Sequence, residues 1–114
     1  MKAPFKDLAE LDRLIHEPAR LGILTALSSC RNADFLYLQR LTGLSKGNLS
    51  SHLAKLEEAG LVTIEKGFVA KTPTTKLSLT KEGRSGIDRH WKRLDQLRAA
   101  ARNWQPEPQT KGSA

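Results

Sequence analysis

The chain has 114 residues, enough for one domain with one modest core and too few for a separate catalytic domain beside it. Apolar residues at 39% and charged residues at 27% are ordinary for a folded soluble domain, while 19 basic against 12 acidic side chains leave a net charge of +7, which favours a polyanion such as nucleic acid or an anionic membrane surface. The single cysteine, Cys30, closes no internal disulfide, no apolar run approaches the ~20 residues that span a bilayer, and Met1 to Leu8 lack the apolar stretch of a secretory signal, so a reducing, cytoplasmic setting without a membrane is expected.

Met1 to Lys6 reads as a lead-in. Leu8, Leu11, Leu14 and Ile15 then fall on one helical stripe, which Pro18 interrupts. A proline is accepted in a helix's first turn, so a second helix is expected to begin at about Glu17 to Ala19. Leu21, Leu24 and Leu27 or Ser28 carry its stripe, widened by Ile23 and Ala26. Arg31-Asn32-Ala33-Asp34 reads as a polar break.

Asp34 is expected to cap a third helix whose buried side is Phe35, Leu38 and Leu41 or Thr42. Gly43 suits the left-handed residue that ends it. Ser45 caps a fourth helix, where Leu49, Leu53 and Leu56 repeat at helical steps before Gly60. The tight spacing of Gly43 and Ser45 sets these two helices at an angle, as a helix-turn-helix requires.

From Leu61 the period changes. Val62 and Ile64 alternate with Thr63 and Glu65 as in a strand with one wet face, and Leu77 and Leu79 alternate in a return strand. The turn is expected within Phe68 to Thr74, because Pro73 cannot donate to a ladder. Thr80 should cap the last helix, striped by Ile87, Trp91, Leu94 and Ala101, with Leu97 and Trp104 beside them. Gln105 to Ala114 has no apolar pattern. The expectation is one mainly α domain with a small β-hairpin over 1–104, and a flexible tail over 105–114.

The helix opened by Ser45 has two sides. Its leucines face a core, and Lys46, Asn48, Ser51 and Lys55 face outward, flanked by Ser50 and His52, with Gly47 adding no bulk. A helix that reads a DNA groove needs this division, with small polar or amide side chains in its N-terminal half to reach base edges. Asn48 can offer a donor and an acceptor together to adenine, and Lys46 can reach guanine or phosphate. The hairpin adds Lys66, Lys71, Thr72, Thr74, Thr75 and Lys76 without an acid among them, a set that can hold phosphates. The plain alternatives are a solvated surface helix and lysines that keep an edge strand from pairing with other chains.

Three segments carry a resemblance to known proteins: His16-Glu17-Pro18-Ala19-Arg20-Leu21-Gly22-Ile23-Leu24, the stretch Leu38 to Leu61 with Leu44-Ser45-Lys46-Gly47-Asn48-Leu49-Ser50-Ser51-His52-Leu53 at its centre, and Leu77-Ser78-Leu79-Thr80-Lys81-Glu82-Gly83-Arg84. In these, over roughly residues 8 to 98, the chain resembles the small single-domain winged-helix transcriptional regulators of the MarR-like and ArsR-like kind. The resemblance implies a winged helix-turn-helix with N- and C-terminal dimerisation helices. It implies a homodimer on double-stranded DNA, with the Ser45 helix in the major groove and the hairpin as the wing.

Leu8, Leu11, Leu14 and Ile15 at one end, with Ile87, Trp91, Leu94 and Leu97 at the other, exceed what a small core buries and are expected to form the dimer interface. Metal-sensing relatives pair cysteines near the recognition helix. Here Cys30 stands alone, and His16, His52 and His90 follow no ligand spacing, so no metal and no cofactor are expected. Room is left for an unidentified small-molecule effector. No catalytic constellation is visible: Ser50 and His52 leave a helix on different sides, and Gly83 and Gly86 are isolated rather than part of a phosphate loop. The competing reading is a winged helix used for protein contact without DNA.

Overall fold

The computed structural model describes residues 5–6 and 11–105. Among the described residues, five helices and three strands follow in chain order: α1 (Arg13–His16), α2 (Pro18–Ser28), β1 (Ala33–Asp34), α3 (Phe35–Thr42), α4 (Lys46–Glu58), β2 (Val62–Val69), β3 (Thr72–Leu79) and α5 (Lys81–Asn103). Of the stripe expected from Leu8, a single turn is present as α1, opened by Asp12, whose Oδ1 accepts from the backbone N–H groups of Leu14 and Ile15. Leu8 lies outside the described residues, as do 106–114 of the expected tail.

Each helix starts where a side-chain oxygen can take an orphan N–H. The Glu17 carboxylate receives Ala19 and Arg20 ahead of Pro18. Asp34 Oδ1 takes Tyr37 N at 2.7 Å, Ser45 Oγ takes Asn48 N at 3.2 Å, and Thr80 Oγ1 takes Gly83 N at 2.9 Å. Gly43 closes α3 at φ 71°, a left-handed conformation that costs a glycine nothing, and so permits the short turn into α4.

The sheet has three antiparallel strands in the order β1-β3-β2, one more than the expected hairpin. The extra strand is Ala33–Asp34, read from sequence as a polar break; two residues show no period, and the pairing of Ala33 with Leu77 is a tertiary event. The turn of the hairpin is Ala70–Lys71, both at positive φ (50° and 69°), as a two-residue hairpin turn demands. Pro73 is therefore not in the turn. It lies in β3 opposite Phe68, where β3 has β2 alone as a neighbour.

The core forms where α2, α3 and α4 meet one face of the sheet and the first half of α5 covers it. Ile23, Leu24, Leu38, Leu49, Leu56, Leu77 and Ile87 are fully buried there. Leu38 fulfils the expectation for α3, whereas Leu41 does not: it is 49% exposed, while Thr42 turns in and donates its hydroxyl to Leu38 O. No described helix is long and apolar enough to cross a membrane.

Candidate nucleic-acid interface

On α4 the leucine side and the polar side separate as the sequence implies. Leu49, Leu53 and Leu56 are buried, and Lys46, Gly47, Asn48, Ser50, Ser51 and Lys55 are exposed. Ser45 is also exposed, with its oxygen engaged as the cap. His52 is half-buried against α2: its Nδ1 lies 3.2 Å from Arg20 Nη1 and 3.6 Å from Glu17 Oε2. Arginine only donates, so a neutral His52 ring accepts at Nδ1 and keeps its proton on Nε2, whereas a protonated ring turns Nδ1–H to the Glu17 carboxylate.

No local sequence pattern marks Arg20, yet it has a structural role. Its Nε donates to Leu14 O at 2.7 Å while Nη1 reaches His52, so one side chain joins α1, the start of α2 and the middle of α4. Burial pushes the Glu17 carboxyl up, but the N–H groups of Arg20 and Ala19 and the charges of His52 and Arg20 outweigh it and hold it below its ordinary value.

The wing residues divide between two faces. Alternation along paired strands puts Val62, Ile64, Lys66 and Phe68 of β2 on the same face as Leu79, Leu77, Thr75 and Pro73 of β3. That face turns towards α4: Lys66 and Thr75 line one groove with Lys46 and Ser50, floored by Leu53, Ile64 and Leu77. Glu57 is an acid on that lining, near the C-terminal end of α4. Thr72, Thr74 and Lys76 stand on the other face, and Lys71 occupies the turn.

Lys76 has cross-strand neighbours that the hairpin's own sequence does not show. The ladder sets it opposite Glu65 in β2 and opposite Asp34 in β1, so acids flank it on both sides although none lies near it in the hairpin's own sequence.

The residues expected at a dimer interface also divide. Ile15 and Ile87 belong to the chain's own core cluster, and Leu11 and Leu97 are buried outside that cluster. The reason is Gly86, which brings α5 so close to α1 that a Cβ there would stand 3.3 Å from Ile15 Cδ1. Leu14 and Leu94 are half-buried, and Trp91 is 41% exposed while its Nε1 donates to Thr25 Oγ1 at 3.0 Å.

His16 and His90, 74 positions apart, also meet across α1 and α5, with Nδ1 of the first 3.0 Å from Nε2 of the second. Burial, the His16 ring and Arg93 lower the His90 pKa from its ordinary value, against a smaller upward pull from Asp12. A base held neutral in the fold takes up its proton more readily when unfolded. The stability it contributes is therefore present above about pH 6.5 and is lost as pH falls below that. Urea midpoints should fall between pH 7.5 and 5.5, and His90→Gln should flatten that dependence. Glu17 has its effect only below about pH 4.5, outside this window.

Residues 19–98 match the model of a family described as a winged helix DNA-binding domain. The chain belongs to that family. An uncharacterized protein of Methanocaldococcus jannaschii is 33% identical to this winged-helix chain over 72 residues, which span 63% of this chain and 78% of that protein. A transcriptional regulator homologue from Pyrococcus horikoshii is 32% identical, with a TM-score of 0.72 over 87% of this chain and 94% of its own. A MarR-family transcriptional regulator from Silicibacter pomeroyi shares the fold at 24% identity, with a TM-score of 0.63 over 96% of this chain and 70% of its own. Membership makes the five-helix and three-strand arrangement a winged helix, with α3 and α4 as its helix-turn-helix and β2–β3 as its wing. Family and fold together make the protein a DNA-binding transcriptional regulator.

Proposed function

We propose that the protein is a homodimeric regulator that reads a specific, pseudo-palindromic DNA sequence, with α4 in the major groove and the wing on the adjoining backbone. The observation that carries this reading is the common groove in which Lys46 and Ser50 of α4 meet Lys66 and Thr75 of the wing. A polar helix face and a set of phosphate-binding groups then address one duplex from one side. In this reading Asn48 and Ser51 meet base edges, Lys55 and Lys71 meet phosphates, and His52 offers Nε2–H.

The dimer is supported by apolar surface left outside the monomer. Trp91 and Leu41 border an apolar groove with Pro18, Leu21 and Gly22, and Trp104 is 45% exposed near the end of the 23-residue α5. A second copy would cover this surface and set two α4 helices about one helical turn of DNA apart, ~34 Å. Light scattering should give twice the 12.7 kDa chain mass. Trp91→Glu should give the monomer and abolish tight operator binding.

Two substitutions test the DNA surface itself. Lys71→Ala should weaken binding to every duplex alike and lower the salt dependence by about one released counterion. Asn48→Ala should leave that slope unchanged and reduce preference for the selected sequence by about 1–3 kcal/mol. Both are read by polarisation titrations over a salt series. Wild-type affinity in both variants overturns the assigned surface, and binding with no salt dependence would instead favour a protein partner.

A further inference from the structure

The wing carries a feature that phosphate contact does not use. Phe68 is 74% exposed and Val69 66%, the highest exposures of any large apolar side chains among the described residues. Single exposed apolar residues are common and need no explanation. Here, however, Phe68 pairs across the ladder with Pro73, one residue from the two-residue turn at Ala70–Lys71, so that an apolar rung forms the end of a projecting hairpin.

Its direction is fixed by the pleat. Phe68 shares a face with Lys66 and Ile64, and that face borders the groove shared with Lys46 and Ser50 of α4. A molecule lying against the polar side of α4 and running past Lys66 therefore reaches Phe68 next. Lys66 and Lys71 bracket the aromatic ring, and no acid lies between Lys66 and Lys76, so the surroundings of the ring select a polyanion rather than an apolar protein surface.

Resting on the DNA-binding reading above, we propose that Phe68 is an apolar wedge: the wing tip enters the minor groove beside the half-site, and the ring packs on deoxyribose and opens a base step. Minor-groove proteins insert phenylalanine or leucine in this way and bend the duplex away from the insertion. A two-residue turn makes a tip narrow enough for a groove about 6 Å wide, and lysines on its flanks take the two phosphate walls. The consequence for function is specificity without hydrogen bonds to bases. The regulator favours half-sites flanked by easily unstacked pyrimidine–purine steps such as TA or CA.

The test compares wild type, Phe68→Ala, Phe68→Leu and Lys71→Ala on a duplex that the wild-type protein selects from a randomised pool, with 2-aminopurine placed in the flanking step. Phe68 is exposed, so the variants should melt as the wild type does. Phe68→Ala should lower affinity about tenfold, the scale of one lost aromatic contact to a base, leave the salt slope unchanged and abolish the fluorescence rise that reports unstacking. Phe68→Leu should restore part of both. Lys71→Ala should lower the salt slope and keep the fluorescence rise. Wild-type affinity and fluorescence in Phe68→Ala overturn the wedge while leaving the DNA-binding reading intact, whereas failure of the wild type to select any duplex overturns both. Loss of self-association in Phe68→Ala with DNA binding unchanged overturns the wedge in favour of a contact between copies.

Discussion

Gly83→Ala is expected to destabilise the protein by about 2 kcal/mol, although glycine to alanine inside a helix is usually stabilising. The reason is local geometry at the base of the wing. A Cβ on Gly83 would stand 1.9 Å from Leu61 O and 2.9 Å from Leu61 C. Leu61 cannot yield easily: its carbonyl accepts Thr80 N at 3.0 Å, and its own N–H is held by Leu56 O at 2.9 Å. Thr80 Oγ1 closes the same junction by donating to Gly60 O at 2.6 Å while capping Gly83 N. The first turn of α5 and the first residue before β2 therefore fit only if position 83 has no side chain. Gly47→Ala is the control. Nothing lies within 4 Å of its added carbon, so the ordinary helix preference of about 0.5 kcal/mol should emerge as a gain. Urea unfolding of the two variants should shift the midpoint in opposite directions. A parallel rise in both would mean that α5 does not sit against Leu61 in solution. Because this junction sets the angle between wing and α4, Gly83→Ala should also weaken DNA binding in the fraction that remains folded.

The contrast shows which parts of this protein are legible from its residues. The caps at Asp34, Ser45 and Thr80 were readable because each is a contact between a side chain and an N–H three positions on, entirely within local sequence. The leucine face of α4 was readable for the same reason. What escaped depends on pairs distant in sequence. The two-residue β1 acquires its conformation only by pairing with Leu77 and Lys76, and that pairing brings Asp34 beside Lys76. Ile15 and Ile87 looked like surplus apolar residues for a partner until Gly86 let α1 and α5 close on each other. His16 and His90 met for that reason as well. Gly83 and Gly86 appeared isolated because nothing in a linear pattern distinguishes a glycine needed for close helix packing from one placed by chance.

Leu49→Ala should have the largest effect, a loss of about 3 kcal/mol against the 5–15 kcal/mol that holds a domain of this size together. Leu49 is 0% exposed and belongs to the buried core cluster, on a helix that packs against α2 and β2. Alanine there removes buried apolar surface and leaves a cavity, since close-packed neighbours relax only partly into it. Its neighbour Asn48 gives the opposite result. That side chain is exposed, and the backbone N–H of the residue is taken by Ser45 Oγ. Asn48→Ala should therefore unfold at the wild-type urea concentration and still lose discrimination between the selected duplex and a scrambled one. Leu49→Ala, studied well below its melting transition, should bind that duplex with affinity close to wild type, because the groups that meet DNA lie on the side of the helix it does not touch. The two measurements together locate the rotation of α4 about its own axis. If Asn48→Ala unfolds the protein while Leu49→Ala is silent, the helix presents a different face, and the surface assigned to DNA is the one facing the core.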